Sequence, residues 1–244
     1  YRMEYMFYSK IFRFKQIKKL LVHQSGYQKG LYQAAKHCKI PVFEFQHGEI
    51  VDSTLVWNYG SSKFFNSINV IAPDVFFTYS DVWSNSSNIP STCIELGSSF
   101  FNTQIVKASG LNTITVISSK EQANYLNDLT LKLAQEDRID IIYYKLHPGQ
   151  FKDLGFYKNY FRSYPNIKII SSEMNIKDLI FISDEFIAIY STAIFEVLQA
   201  GKIVYIYKRL NYRFFSKYFN LPGVHLFNKP DEFFNIRDKA IKSF

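Results

Sequence analysis

Three short stretches gather side chains able to do chemistry: KLHPGQ (145–150), FEFQHGE (43–49) and YSTAIFEVLQAGK (190–202). In the first, Lys145 and His147 are two residues apart on a strand and project to one face. Pro148-Gly149 is expected to turn the backbone directly after them. A lysine is a point charge for phosphate. A histidine donates to a phosphate oxygen or acts as an acid near neutrality. In the third stretch a helix beginning at Ser191-Thr192 offers unpaired N–H groups and a partial positive charge, a seat for phosphate. Glu196, one turn in, presents an acceptor-only carboxylate that suits the two hydroxyls of a ribose. In the second, His47 is a candidate general base, with Glu49 and Asp52 as further candidates. Gly48 permits a tight turn or a close ligand approach. Each group also has a plain structural reading: Ser191 as a helix N-cap, Glu196 as a surface helix residue, His47 and His147 as loop-ordering residues.

These stretches need strands to deliver them. LLVH (20–23), PVFEFQ (41–46), VFFTY (75–79) and CIELG (93–97) read as strands, with QKGLYQAAKHC as a helix among them. Residues 98–112 are rich in Ser, Asn and Gly and read as a linker. The alternation then restarts: strands TITVISS, IDIIYYKL, NIKIIS, EFIAIY, KIVYIY and VHLF, with helices KEQANYLNDLTLKLAQE, FYKNYFRSY, NIKDLIFI, STAIFEVLQAG and a terminal DEFFNIRDKAIKSF. Such alternation predicts βαβ units and parallel sheets. The expected architecture is α/β, two Rossmann-like domains, 1–105 and 106–244, facing across a cleft. The last helix is expected to pack back on the N-terminal half. Ligands bind beyond the carboxyl ends of such strands. Gln24, Gln46, Ser118, His147 and Ser191 all fall there, so the site is read as polar rather than greasy.

Bulk properties narrow the classes. At 47% hydrophobic and 20% charged, the 244-residue chain carries enough apolar mass for a core, which excludes disorder. The net charge of +8 fits nucleic acid, anionic lipid or phosphorylated small molecules. No RNP-like, zinc-finger or helix-turn-helix pattern is present, so nucleic acid is not an expected partner. Lys15, Lys18 and Lys19 read as a solvated helix face or a membrane-surface contact. Cys38 and Cys93 lack metal-ligand spacing and suit a reducing cytoplasm. No apolar run approaches the roughly 18 residues of a membrane span.

Taken together, strand-QHG, strand-KLHPG and Y-S-T-A-x-x-E-x-L-x-x-G-K resemble bacterial GT-B glycosyltransferases of capsule and lipopolysaccharide synthesis. Capsule Kdo transferases, polysialyltransferases and teichoic-acid polyol-phosphate transferases are similar in these elements, over roughly residues 20–227. The resemblance implies a nucleotide-sugar donor, with a CMP-linked sugar among the candidates, bound by Lys145, His147, Pro148, Gly149, Ser191, Thr192, Glu196 and Ser118. It implies a glycan or lipid-linked glycan acceptor on the side of Gln46, Gly48 and Gln24, and catalysis by His47, Glu49 or Asp52. It implies no metal and no other cofactor, since no DxD-type carboxylate pair stands out. A cytoplasmic enzyme in peripheral contact with an anionic membrane is expected. The chain opens on Tyr1, and the usual first strand with its Gly-rich loop is not recognised, so the N-terminal domain is expected to be truncated. A CDP-polyol phosphotransferase, a sugar-nucleotide epimerase and a non-catalytic nucleotide-sugar-binding remnant are the alternatives.

Overall fold

The computed structural model describes residues 1–23, 27–47, 71–79, 83–84, 89–97 and 112–243. They form two compact units, Tyr1–Ser99 and Phe100–Phe244. The linker expected around 98–112 lies almost wholly outside the described residues.

The N-terminal unit runs α1 (Arg2–Phe14), β1 (Leu20–Val22), α2 (Lys29–His37), β2 (Val42–Phe45), β3 (Val75–Thr78) and β4 (Thr92–Glu95). The strands pair in the order β1-β2-β3-β4, all parallel. Phe12 of α1, Leu31, Tyr32, Ala34 and Ala35 of α2, and Val42 of β2 make its core. The two helices cross at Gly30, where a Cβ would sit 2.6 Å from both Glu4 Cβ and Tyr1 O. Only a residue without a side chain permits that approach. Glu4, the acid in the first turn of α1, turns inward and accepts the Gly30 N–H at 3.3 Å. Glu44 is fully buried on β2 and accepts the Tyr32 hydroxyl. Burial pulls the Lys29 ammonium down to about 8, against the opposing pull of Glu44. α1 ends at Phe14, so Lys15, Lys18 and Lys19 follow the helix instead of lying on its face.

The C-terminal unit begins with β5 (Thr113–Ile117), α3 (Ala123–Ala134), β6 (Ile141–Lys145), a 3-10 helix (Pro148–Asp153), α4 (Leu154–Tyr160) and β7 (Ile167–Ile170). It continues with α5 (Ile176–Ile182), β8 (Glu185–Ala188), α6 (Ala193–Gln199), β9 (Ile203–Tyr207), a second 3-10 helix (Tyr212–Tyr218), β10 (Val224–Phe227) and α7 (Pro230–Ser243). The sheet order is β10-β9-β8-β5-β6-β7, again all parallel. β5, β8 and β9 are buried along their whole length, as parallel strands covered on both faces must be. α3 adds Leu126, Leu129 and Leu133 from one face. The unit's chain order reverses between β8 and β6, on either side of β5, which makes the carboxyl end of β5 the switch point.

The terminal helix α7, expected to return to the N-terminal half, is anchored in its own unit. Phe233 packs on Phe227 and Tyr205. Arg237 donates to both oxygens of Glu185 at 2.6 to 3.0 Å, with each residue about 5% exposed or less. The Tyr205 hydroxyl gives Glu185 a further bond at 2.8 Å. Burial and then the Glu185 carboxylate push the Tyr205 phenol well above its usual range. No helix among the described residues is long and apolar enough to cross a membrane.

Two substitutions test this packing. Arg237→Met leaves a buried carboxylate without its cation and is expected to lower the unfolding free energy by about 3–5 kcal/mol in urea titration. Gly30→Ala forces backbone atoms of α1 away from α2 and is expected to cost about 1–3 kcal/mol, read as a fall in Tm.

Candidate functional site

The polar groups of the C-terminal unit meet where β5, β6 and β8 end. On β6, KLHPGQ is organised by its histidine. His147 caps the 3-10 helix that starts at Pro148, its Nδ1 accepting the Gly149 N–H at 3.0 Å. Gln150, 2% exposed, returns the bond by accepting the His147 N–H at 2.8 Å, and is itself fixed by the Tyr157 hydroxyl at 2.5 Å. A Cβ at position 149 would lie 3.2 Å from Nδ1, so a small residue lets the amide reach the ring. Because Nδ1 accepts, the neutral ring carries its proton on Nε2. His147 is exposed, so that N–H is the donor a ligand would meet. Pro148-Gly149 therefore opens a helix, where the sequence suggested a turn. Proline at a first helical position lacks only a donor that had no partner there.

Lys145 has other partners than the sequence suggested. Its Nζ donates to Ser171 O and to Met174 O, closing the loop after β7, and lies 5.3 Å from the Phe151 ring centroid. Burial lowers its ammonium below the usual range, with Glu173 and Asp178 opposing. It is a half-buried brace of the β7–α5 loop.

The end of β5 divides its two serines. Ser118 Oγ is 3.1 Å from Tyr144 OH, which in turn donates to Asn127 at 2.5 Å. Its hydroxyl belongs to the core. Ser119 is 5% exposed, and its Oγ has no hydrogen-bond partner among the described residues. A buried hydroxyl without a partner costs about 1–3 kcal/mol, and Ser9 Oγ, Thr78 Oγ1 and Gln122 Oε1 share that situation among the described residues. The sequence reading took Ser118 as the ligand-binding member; the orphan atom is on its neighbour. The Lys120 side chain runs beside Gly149, within 3.7 Å of where a Cβ would be. Glu121 accepts the Tyr190 hydroxyl at 3.0 Å, tying the β5 end to the β8 end. Its own backbone N–H, Tyr190, His147 and Lys120 hold its carboxyl below the usual value.

At the β8 end, Ser191 Oγ accepts the Ala193 N–H at 3.3 Å, while Thr192 occupies the N-cap position without a side-chain cap. Ser191, expected at the N-cap, thus steadies the helix start from the residue before it, and Thr192 is exposed. Gly201, at φ +70°, ends the segment as the sequence suggested. Glu196 is half-buried on α6, its carboxyl raised by burial and partly restored by Lys177.

In the N-terminal unit the corresponding edge carries two histidines. His47 Nδ1 lies 3.1 Å from His23 Nε2, with ring centroids 4.4 Å apart and planes at 86°. Gln46, expected on the acceptor side, is 1% exposed, and its Oε1 accepts the Tyr79 N–H at 2.9 Å. It stitches β2 to β3. Gln24, Gly48, Glu49 and Asp52 lie outside the described residues. The His23 contact escaped the sequence reading because 24 residues separate the rings; adjacency of two strand ends was the available signal.

No protein-family model and no curated protein matches the sequence. Solved structures do match. MurG of Acinetobacter baumannii superposes with a TM-score of 0.64 at 12% identity, covering 97% of this chain and 68% of that one. A UDP-GlcNAc 2-epimerase from Neisseria meningitidis, bound to UDP-GlcNAc, gives 0.63 at 14%, covering 98% and 72%. A glycosyltransferase from Rickettsia africae gives 0.59 at 14%, covering 98% and 70%. At these identities the shared property is architecture: two parallel-sheet α/β units, the GT-B fold.

Proposed function

We propose that the chain acts on nucleotide sugars, as a glycosyltransferase, with the nucleotide held by the C-terminal unit. The observation that carries this reading is the polar end of β5 at the switch point of the sheet, where Ser119 holds a buried hydroxyl with no partner among the described residues and the Lys120 side chain runs beside Gly149, whose N–H the His147 ring accepts. These groups offer an O–H, an ammonium and an Nε2–H to a phosphate. Ser191 and Thr192 stand at the next strand end, and Glu196 offers its carboxylate to a ribose. Donors set in advance toward a leaving phosphate stabilise the charge that develops on it, and that stabilisation is the larger part of such catalysis. In this reading Lys145 supports the wall that the site is built on.

On the N-terminal edge His47 takes the proton of the acceptor hydroxyl, with Glu49 and Asp52 as the alternative bases in the sequence. A CMP-linked donor and a surface polysaccharide or lipopolysaccharide acceptor, handled at the inner face of the membrane, rest on the motif resemblance. Epimerisation of the donor is the second reading, favoured by the likeness to epimerases. An epimerase converts donor without any acceptor; a transferase releases nucleotide only when acceptor is supplied.

Thermal unfolding with CMP, CDP, UDP and GDP tests the nucleotide site. A ligand present at 100 times its Kd adds about 2.7 kcal/mol, a rise of several degrees. His147→Asn keeps an acceptor for the Gly149 N–H but removes the Nε2–H. It is expected to weaken nucleotide binding by about 10–100-fold, the worth of one hydrogen bond to a charged group. Absence of a shift with every nucleotide would sink the reading.

A further inference from the structure

We propose that the cleft between α3 and the end of β9 is a glycan-binding site, in which Tyr125, Asp128, Lys132 and Arg209 hold a sugar unit that bears a carboxylate. The inference rests on the transfer reading for the use of such a site; the site itself belongs to the C-terminal unit alone. The cleft measures about 450 Å³, within the about 300–1,000 Å³ of small-molecule sites. One wall is α3, where Tyr125, Asp128 and Lys132 fall at i, i+3 and i+7 on one stripe, with Leu129 buried at its base. The other wall is Tyr207, the last residue of β9, with Arg209 just beyond it.

Arg209 is fixed from behind by neutral partners. Its Nη1 donates to Lys208 O at 2.7 Å and to Asn228 O at 2.9 Å, and its Nη2 donates to the Tyr207 hydroxyl. Its Cζ lies 3.9 Å from the Tyr207 ring centroid and 5.7 Å from that of Tyr125. The Nε–H and one Nη2–H have no partner among the described residues. Lys132 is exposed, and neither cation is paired with a carboxylate among the described residues. Asp128 Oδ1 accepts the Tyr160 hydroxyl at 3.2 Å, which leaves Oδ2 for a ligand.

These groups select the ligand's chemistry. The Asp128 carboxylate only accepts, so what lies against it must donate, as sugar hydroxyls do. Arg209 and Lys132 only donate, and a planar guanidinium matches a carboxylate. Tyr125, 48% exposed, offers a ring on which the apolar face of a sugar packs. A nucleotide fits less well. The Tyr207 ring already carries the Arg209 guanidinium, so a base finds one open ring instead of two, and its phosphates meet the Asp128 charge. A sugar with several hydroxyls and one carboxylate satisfies all four side chains.

Titration calorimetry on the full chain tests this, with oligosialic acid and oligogalacturonic acid as probes and maltohexaose as the neutral control. At least one acidic oligomer is expected to bind, and maltohexaose is not. Tyr125→Ala is expected to weaken that binding about tenfold, the scale of one ring contact. Lys132→Ala is expected to weaken it about threefold, the scale of one exposed ion pair. Both side chains are exposed, so Tm and its rise with nucleotide are expected to stay as in the wild type. The proposal is overturned if neither acidic oligomer binds, if maltohexaose binds as well as they do, or if both variants bind like the wild type. Displacement of the oligomer by a nucleotide also overturns it, since the oligomer is then in the nucleotide site. If no nucleotide raises Tm while the oligomer binds and the variants weaken it, the transfer reading fails and the glycan site stands.

Discussion

A parallel strand covered on both faces has little place for polar chemistry except its ends, and the C-terminal unit obeys that constraint. β5, β8 and β9 are buried at every residue, and the groups that can touch a ligand begin where those strands stop. The change is abrupt on β6. Leu146 is 1% exposed and His147, the next residue, is exposed. The carboxyl edge therefore gathers hydroxyls, an imidazole and an ammonium from segments far apart in sequence. The sheet order decides which of them are neighbours, and it puts the β5 end between the β6 and β8 ends.

A second consequence is that polar groups at such an edge compete between structure and ligand. Ser118 and Ser119 follow β5 directly, and the first bonds into the Tyr144–Asn127 pair of the core while the second has no hydroxyl partner among the described residues. His147 serves both ends: Nδ1 organises the loop, and that engagement sets the proton on Nε2. Lys145 and Gln46 are engaged by neighbouring backbone, at Ser171 and Met174 in one case and at Tyr79 in the other. A side chain with a short path to an unpaired carbonyl or amide in its own unit is used there first, because a buried backbone group without a partner is costly.

This explains what could be read in advance. Strand and helix order was legible because apolar runs and helical spacing are local. Gly201 as a helix stop was legible for the same reason, since a positive φ after a helix selects glycine. The partner of a polar side chain was not. Glu185 and Arg237 are 52 residues apart, and nothing in EFIAIY marks the glutamate as the buried anchor of the last helix. Glu44, fully buried amid FEFQHGE, looked like one carboxylate among several. The start of the 3-10 helix at Pro148 was hidden because Pro-Gly suits both a turn and a helix entrance; Gln150, three residues after the capping histidine, was the signal that separates them.

The two histidine sites illustrate one principle applied in two ways. Each ring has one nitrogen engaged in protein structure, and the engagement assigns the chemistry of the other. At His147 the partner is a backbone N–H, a donor only, so Nδ1 must accept and Nε2 must donate. That suits an anion. At His47 one partner is another imidazole, which can accept or donate, so that bond alone does not assign the ring's proton. A backbone amide commits a histidine to one role permanently. A second histidine, able to donate or to accept, leaves the direction of the bond to the proton inventory of the pair.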